Sequence, residues 1–362
     1  MQRVIMAMSG GVDSSVAAAL LLEAGYEVIG MTMQIWQTDL PYDLEAEGGC
    51  CSLGAVEDAR SVANKLGIPY YVVNMQAPFR EKVIDYFVAE YLEGRTPNPC
   101  IICNQELKFN NLLDKAKALD GKYVATGHYV RREQDPSTGR WILRKGLDLT
   151  KDQSYALYGL TQAQLESSLF PLGGHTKTSI RQKAAELGLR VADKPDSQEI
   201  CFVPDQDYRR FIDEYRPGAV RPGKIVDKTG KVLGEHSGII NYTIGQRKGL
   251  GIASSVPLFV TEIRPETNEI VVGLADEVFA DRLVAEALNW IAIPALQDEL
   301  RVEAKIRYAA PPAPAVVRPL PEGRVEVLFD MPQRAITPGQ SVVFYQGDLV
   351  VGGGVIAGTD GS

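Results

Sequence analysis

The feature that most constrains this chain is a glycine-rich turn near its N-terminus. The turn joins an apolar run at 4–8 to an alanine- and leucine-rich run at 16–22, and it reads Ser9-Gly10-Gly11-Val12-Asp13-Ser14-Ser15. Because alanine and leucine favour helix, the pattern predicts a strand, a turn and then a helix N-terminus. Glycines let the backbone approach an anion closely, and the first N–H groups of a helix carry partial positive charge. The turn therefore predicts a phosphate or pyrophosphate site.

The alternative is an ordinary strand-to-helix turn in which Asp13 or Ser14 caps the helix. The run at 9–15, however, resembles the loop of the ATP pyrophosphatases, the PP-loop family, residue for residue. It is not a Walker A loop, because no Gly-Lys-Ser/Thr follows. The resemblance implies that ATP is cleaved between its α and β phosphates and that a carbonyl oxygen is adenylated. Asp13 is then expected to act as helix cap, as organiser of Mg²⁺-pyrophosphate, or as both.

Strand and helix patterns alternate over roughly the first two hundred residues and then give way to short β patterns. Strands are predicted at 26–33, 68–73 and 123–126, and helices at 56–66, 80–92 and 106–119. This alternation predicts an α/β fold with a doubly wound, Rossmann-like parallel sheet, whose ligands bind at the carboxyl ends of the strands. Beyond residue 205, prolines and glycines punctuate short alternating runs, which predicts β structure. We expect a catalytic domain at 1–204, a small β-rich central domain at 205–275 and a C-terminal β-barrel at 276–362.

Composition argues against a protein that binds nucleic acid over its whole surface. The 362 residues carry a net charge of −8, and 45% of them are hydrophobic, as in ordinary soluble proteins. Binding to a phosphate backbone needs only a local basic surface, and between 131 and 151 six bases face three acids. The apolar run before the glycines is too short for a signal peptide, and no apolar stretch reaches the length of a membrane span. A cytoplasmic location without membrane contact is expected.

The cysteines suggest chemistry rather than a disulfide framework, because the chain has five of them, an odd number. Cys100 and Cys103 form a Cys-x-x-Cys pair, and Cys201 lies far along the chain. Taken alone, the pair could be buried small side chains, a redox pair or half of a zinc site. A zinc site needs two further ligands, and the sequence has no second Cys-x-x-Cys. Cys50 and Cys51 receive no role.

Further motifs follow the glycine turn in a fixed order. They are Asn98-Pro99, Cys103-Asn104, the runs 125–129 and 151–155, Cys201-Phe202, and the runs 245–251 and 337–341. Together with the turn, they resemble the tRNA-specific 2-thiouridylase family over nearly the whole chain. The resemblance implies an ATP-dependent sulfurtransferase that adenylates the C2 oxygen of the wobble uridine of tRNA. Sulfur from a cysteine persulfide then replaces that oxygen, giving 2-thiouridine, AMP and pyrophosphate.

The same resemblance assigns roles to individual residues. Cys201 matches the persulfide carrier and Cys103 the catalytic nucleophile. Contacts with ATP are implied for Ala7, Met8, Ser9, Gly10, Gly11, Val12, Asp13, Ser14, Met33 and Gly127. Contacts with the target base are implied for Asn98, Pro99 and Cys100, and contacts with tRNA for His128, Lys151, Asp152, Gln153, Arg307, Tyr308 and Gln340. The β-rich domains would bind tRNA, and a sulfur-donor protein, a cysteine desulfurase or a sulfur relay, is the expected second partner.

Cys100 departs from the family pattern, because many members have an aspartate there that is a candidate general base. The departure leaves Cys100, Cys103 and Cys201 as a set of three thiols. Three thiols could hold a [4Fe–4S] cluster with one open iron, to which sulfide binds. We expect the persulfide scheme and keep the cluster as its alternative.

Two other functions stay open at this point. Another ATP pyrophosphatase, such as an amidotransferase-type synthetase or argininosuccinate synthetase, would use ammonia or an amino acid instead of thiols. A non-catalytic RNA-binding protein with a degenerate loop would fail to bind ATP. Dependence of ATP-to-AMP turnover on tRNA separates these functions from thiolation.

Overall fold

The computed structural model describes residues 1–35, 53–196, 200–203 and 205–359. Cys50 and Cys51 lie outside the described residues. The chain divides into two compact units, which are described separately. The first unit comprises Met1–Val83, Pro99–Asp207 and Asp348–Val350, and the second comprises Ile84–Asn98, Tyr208–Gly347 and Val351–Ser362. Within the described ranges, no helix has the length and apolar character needed to cross a membrane.

Strands and helices alternate in the N-terminal part of the chain. In chain order they are β1 (Arg3–Ala7), α1 (Val12–Glu23), β2 (Glu27–Gln34), α2 (Leu53–Leu66), β3 (Tyr70–Asn74), α3 (Gln76–Phe79), a π-helical turn (Arg80–Ile84), α4 (Asp85–Leu92), α5 (Pro99–Ile102), a second π-helical segment (Cys103–Asn111), α6 (Leu112–Lys117) and β4 (Tyr123–Ala125). The next elements are β5 (Val130–Gln134), β6 (Trp141–Lys145), a 3₁₀ turn (Ser154–Leu157), α7 (Gln162–Glu166), β7 (Ser168–Leu169) and α8 (Lys177–Glu186).

The first unit is built on a five-stranded sheet in the order β3-β2-β1-β4-β7. Every pairing in it is parallel. Val4, Ile5 and Met6 of the central strand are fully buried, which explains why β1 reads as a continuous apolar run. The chain winds to one side through β2 and β3 and to the other through β4 and β7. The prediction of a doubly wound sheet is therefore confirmed, and the switch point lies at the carboxyl end of β1.

A hairpin that the sequence analysis did not predict follows β4. Strands β5 and β6 pair antiparallel, and residues 349–350 from the end of the chain pair with β6. Asp348 fixes this attachment, because its carboxylate accepts hydrogen bonds from Arg131 and from Arg144, both at 2.7 Å. Two of the six bases between 131 and 151, Arg131 and Arg144, therefore hold the hairpin to this strand.

Besides α4, the second unit contains the helix α9 and a set of strands that pair antiparallel except for β8 and β11, which are parallel. They are α9 (Tyr208–Tyr215), β8 (Gly223–Asp227), β9 (Val232–His236), β10 (Phe259–Arg264), β11 (Glu269–Gly273), β12 (Phe279–Trp290), β13 (Leu300–Lys305), β14 (Ala313–Pro319), β15 (Val325–Arg334), β16 (Ser341–Gln346) and β17 (Leu349–Gly358), with short 3₁₀ turns at Ile239–Asn241, Asp276–Val278 and Pro321–Gly323.

The later strands form the small β sheet and the barrel that were predicted. A four-stranded sheet has the order β10-β11-β8-β9. The strands β12, β15, β14, β13, β16 and β17 follow one another, and the pairing of β12 with β17 closes them into a barrel. Closure removes the exposed strand edges that invite aggregation.

The expectation of β structure alone beyond residue 205 is wrong at α9. Phe211 and Ile212 of this helix are buried, and the ring of Tyr208 stacks on that of Tyr91 with centroids 4.6 Å apart. The apolar spacing of 208–215 is helical, and its burial against α4 outweighs the β-like composition around it.

Candidate functional site

The predicted phosphate loop lies where β1 ends and α1 begins. Gly10 adopts a positive φ of 66°, and a Cβ there would overlap the carbonyl oxygen of Ala55. Only glycine fits this position without strain. A Cβ on Gly11 would instead have only the hydroxyl oxygen of Ser9, at 3.6 Å, as a neighbour. Gly10 thus closes the turn, and Gly11 leaves open space in front of the helix.

No side chain caps α1, so the alternative of an ordinary turn capped by Asp13 or Ser14 is wrong, and so is the capping role expected for Asp13. Gly11 is the N-cap residue and makes no side-chain cap hydrogen bond. The hydroxyl of Ser14 turns back to donate to the carbonyl oxygen of Gly11 at 3.2 Å, and it accepts from the backbone N–H of Ser9 at 3.2 Å. The helix N-terminus is therefore open to an anion, with two hydroxyl groups beside it.

The other residues predicted to bind ATP lie at the same edge of the sheet. Met33, near the end of β2, is buried. Gly127 follows β4 and packs on the first turn of α1, because a Cβ there would be 2.8 Å from the backbone nitrogen of Ser14. The hydroxyl of Thr32 donates to the carbonyl of Met8 at 2.6 Å and ties the start of the loop to β2. The carboxyl ends of β1, β2 and β4 thus surround the loop.

A buried lysine that the sequence analysis did not select lies beside the loop. Lys177 is only 8% exposed, and its ammonium contacts the two oxygens of Asp13 at 2.9 and 2.7 Å and Asp196 at 2.7 Å. The hydroxyl of Tyr129 donates to Asp13 at 2.6 Å. Lys177 is the first residue of α8, a position where the helix dipole disfavours a cation. A lysine at the start of a helix is the sequence signal that could have indicated an acidic partner.

Lys151, one of the predicted tRNA contacts, belongs to the same charge cluster. Its ammonium lies 2.8 Å from Asp196. Burial alone would raise the pKa of Asp196, but hydrogen bonds and charge from Lys151 and Lys177 outweigh it and hold the pKa at about 2. The side chains that follow are also engaged within the protein: Asp152 accepts from Ser154, and Gln153 accepts from the backbone N–H of Tyr129 at 3.0 Å.

His128 is half-buried and neutral at physiological pH. Burial, together with the positive charge of Lys108, lowers its pKa well below the usual value. Its Nδ1 is 2.7 Å from the hydroxyl of Thr126, and its ring lies beside that of Phe109. A contact of His128 with RNA would therefore be a hydrogen bond or a stacking contact rather than an ion pair.

The three cysteines lie on separate elements of the first unit. Cys100 is exposed on α5, Cys103 begins the π-helical segment, and Cys201 is half-buried in the short described segment 200–203. Phe202 anchors that segment by packing edge-on against Phe79, with ring centroids 5.6 Å apart. No group of three or more His, Cys, Asp or Glu within the described ranges is placed to hold a metal ion.

Two sets of predicted contacts belong to the second unit. The side-chain amide of Gln340 donates to the carbonyl oxygens of Thr96 and Pro97 at 2.8 and 3.4 Å, so it fixes the backbone that leads into Asn98. Arg307 donates to the carbonyl oxygen of Ala335 and is half-buried. Tyr308, by contrast, is 50% exposed.

Replacing Lys177 by methionine is expected to lower the free energy of unfolding by about 3 kcal/mol. The substitution removes the cation that contacts both oxygens of Asp13, whereas Asp196 keeps Lys151 at 2.8 Å. Removal of one partner from a buried ion pair costs about 3 kcal/mol or more, because the other charge stays without compensation. Urea unfolding of the whole protein measures the change. The matched control is Lys183→Met on the same helix, whose partner Glu23 lies 2.7 Å away at the surface; a far smaller loss is expected there. Equal losses in the two variants would contradict the role given to Lys177.

Comparison with known proteins covers almost the entire chain. Family models match as a tRNA methyl transferase HUP domain at 2–205, a tRNA methyl transferase PRC-barrel domain at 209–274 and an aminomethyltransferase beta-barrel domain at 280–356. The tRNA-specific 2-thiouridylase MnmA 2 of Caldanaerobacter subterraneus is 60% identical over 98% of this chain and 97% of its own. The tRNA-specific 2-thiouridylase MnmA of Acetivibrio thermocellus is 58% identical over 98% of this chain and 99% of its own. With this identity over nearly its full length, the chain belongs to the tRNA-specific 2-thiouridylase family.

Proposed function

We propose that this protein is an ATP-dependent tRNA sulfurtransferase that converts the wobble uridine of tRNA into 2-thiouridine. The main support for the proposal is the N-terminus of α1, which follows Gly10 and Gly11. It has no side-chain cap and has open space in front of it, as a pyrophosphate site needs. The names of relatives that are about 60% identical supply the substrate. We expect it to act in the cytoplasm, where its tRNA substrate is found.

Activation of the uridine is the first step. Its C2 oxygen attacks the α-phosphorus of ATP; an O–P bond forms there, and the bond to the β-phosphate breaks to release pyrophosphate. The N–H groups of α1 and the hydroxyls of Ser9 and Ser14 would hold the phosphates and stabilise the charge that develops on the leaving group. Mg²⁺ would be bound by the ATP phosphates together with Asp13, where it supplies further charge neutralisation.

Sulfur transfer follows from the thiols. The terminal sulfur of a persulfide on Cys201 attacks C2, a C–S bond forms, and AMP leaves with the former C2 oxygen. The thiolate of Cys103 then attacks the Cys201 sulfur and breaks the persulfide S–S bond. Sulfur stays on the uridine, and a Cys103–Cys201 disulfide remains, which a thiol reductant reopens. A sulfur-donor protein then reloads Cys201.

The remaining assignments concern RNA binding. Asn98, Pro99 and Cys100 would contact the target base, which is expected to be flipped out of the anticodon loop. Chemistry would belong to residues 1–204, and residues 205–275 and 276–362 would bind tRNA. In the first unit the tRNA contact would come from His128 and from the backbone of 151–153, because the side chains of 151–153 are engaged within the protein.

Methyl transfer, the activity in the descriptions of two matching family models, fits the site less well than thiolation does. Methyl transfer does not require cleavage of ATP between its α and β phosphates. An amidotransferase-type synthetase does require it, but it uses ammonia and leaves Cys103 and Cys201 without a task. The combination of a pyrophosphate loop and reactive thiols favours thiolation.

The test is an assay with unmodified tRNA, ATP and a persulfide source. We expect one AMP for each 2-thiouridine formed, and no AMP without tRNA. AMP formation that needs ammonia but not tRNA would instead identify a synthetase and overturn the proposal.

A further inference from the structure

The segment 190–196 lies between α8 and Cys201 in the chain, and it is hydrogen-bonded to the phosphate loop. The ammonium of Lys194 donates to the carbonyl oxygen of Gly10 at 3.1 Å and contacts Asp58 of α2 at 2.6 Å. Gly10 is the residue whose left-handed backbone closes the loop. The segment that precedes Cys201 is therefore bound to the backbone of the predicted ATP site.

Asp196, at the end of this segment, is attached to the same loop through Lys177. The ammonium of Lys177 lies 2.7 Å from Asp196, and it lies 2.9 and 2.7 Å from the two oxygens of Asp13. Asp13 belongs to the first turn of α1. Because two carboxylates repel each other, they can come this close only while the cation stays between them. One buried lysine thus joins the phosphate loop to the segment that leads to Cys201.

Two further cations hold Asp196 in the same place. The guanidinium of Arg181 on α8 donates to Asp196 at 3.3 Å, and it also donates to two backbone carbonyls of the segment, at 2.7 and 3.1 Å. The ammonium of Lys151 lies 2.8 Å from Asp196 on the Oδ2 atom. Since the pKa of Asp196 is about 2, its carboxylate is charged throughout the physiological range. The attachment is therefore present whenever the protein is folded at such pH.

Cys201 has a second attachment on its other side. The rings of Phe202 and Phe79 pack edge-on with centroids 5.6 Å apart, and Phe202 and Val203 are both buried. Cys201 follows Asp196 by five residues, and five extended residues span at most about 18 Å. The ion-pair cluster before Cys201 and the aromatic contact after it together limit where the thiol can lie.

We infer that Asp196 is a positioning residue for sulfur transfer, which keeps Cys201 within reach of the phosphate loop and of Cys103. The inference rests on the proposed function, which gives Cys201 the persulfide and Cys103 the attacking thiolate. Groups that are held close to each other react far faster than groups that must first meet. Asp196 makes no bond to the reacting atoms in this scheme and acts only through the cations that it binds.

The test is Asp196→Asn in the full chain, which keeps the size of the side chain and removes its charge. In a single turnover from a preloaded Cys201 persulfide, the rate constant of sulfur transfer should fall roughly ten- to a hundredfold. Pyrophosphate release that depends on tRNA should be unchanged, because Lys177 still contacts both oxygens of Asp13.

A second readout needs neither ATP nor tRNA. In a glutathione redox buffer, the ratio of the Cys103–Cys201 disulfide to the two free thiols reports the effective concentration of one thiol for the other. Asp196→Asn should lower this effective concentration roughly tenfold. Asp196→Glu keeps the charge that faces the three cations, so it should restore most of both the transfer rate and the disulfide ratio.

The matched control is Asp348→Asn. Asp348 is a carboxylate of the same unit that also binds two cations, Arg131 and Arg144, both at 2.7 Å, but it holds the hairpin instead of the segment before Cys201. This variant should leave the transfer rate and the disulfide ratio at their wild-type values. Thermal unfolding of each variant shows that the protein compared is folded.

Two results would overturn the inference. One is a wild-type transfer rate and disulfide ratio in a folded Asp196→Asn protein. The other is an equal loss in Asp348→Asn, because the effect would then be one of general stability. A wild-type protein that makes no 2-thiouridine, but whose disulfide ratio falls on Asp196→Asn substitution, would refute the proposed function and leave the positioning of Cys201 by Asp196 standing.

Discussion

Gly11→Val is expected to abolish ATP binding while the protein stays folded. Gly11 has an extended backbone, with φ −98° and ψ 165°, that valine readily adopts. The space in front of it is open, because the nearest atom to a Cβ is the Ser9 hydroxyl at 3.6 Å. The valine methyl groups would occupy the position of the phosphates at the N-terminus of α1. Calorimetric titration should show ATP affinity reduced more than about a hundredfold, with the thermal unfolding midpoint unchanged.

The neighbouring glycine, Gly10, provides a contrast, because its replacement is expected to destabilise the fold. Gly10→Ala places a Cβ against the carbonyl oxygen of Ala55 and holds an alanine at a φ of 66°. The left-handed conformation alone costs about 1–2 kcal/mol, so this variant should unfold at a lower temperature. Gly174→Val is the control, since Gly174 is exposed and a Cβ there has no neighbour within 4 Å. Near-normal AMP formation by a folded Gly11→Val protein would defeat the assignment of the phosphate loop.

The phosphate loop could be predicted because its causes are local. Two glycines, a preceding apolar run and a following run of alanine and leucine lie within about twenty residues. The cap was predicted wrongly for a reason that is not local. Asp13 is drawn towards Lys177 and Tyr129, which come from far along the chain. An acidic residue in the first helical turn caps the helix or interacts with its dipole only when no other residue in the fold binds its carboxylate.

Local sequence also failed to predict one strand of the barrel, β14. The proline content of the segment 309–321 does not predict a strand, yet the segment contains β14 (Ala313–Pro319) in the interior of the barrel wall. Its two strand prolines lie near the strand ends, at Pro314 and Pro319, while Ala315 and Val317 between them are fully buried. Proline weakens a strand mainly where a ladder N–H is needed in its middle. Composition alone could not locate those positions.

The predicted RNA contacts show that a sequence motif identifies a segment but not which of its atoms are free to contact RNA. The run 151–155 could be recognised from its sequence, but its order along the chain does not tell which side chains point outward. Lys151, Asp152 and Gln153 all bond within the first unit.

Cys103→Ser and Cys201→Ser are expected to reduce 2-thiouridine formation below about one-thousandth of the wild-type rate, because each removes a sulfur that makes or breaks a bond. Pyrophosphate release that depends on tRNA should persist for at least one turnover in both variants, since activation of the uridine does not use the thiols. Mass spectrometry of the tRNA measures the first quantity, and a single-turnover assay with labelled ATP measures the second. The two readouts separate sulfur transfer from adenylation.

Cys100→Ser decides how the sulfur is carried. In the persulfide scheme Cys103 and Cys201 must approach to disulfide distance, with Cα atoms about 4.4–6.8 Å apart, and Cys100 makes no bond in either step. Cys100 is exposed on α5 and neither gains nor loses a bond to sulfur in this scheme, so its serine variant should keep most of the activity. A cluster needs all three thiols, and in that case Cys100→Ser would be inactive and free of iron. Anaerobic purification with iron and sulfide analysis of each variant gives the answer. An inactive, iron-free Cys100→Ser protein from an iron-containing parent would refute the persulfide scheme, whereas an active variant would leave Cys103 and Cys201 as the two residues that transfer sulfur.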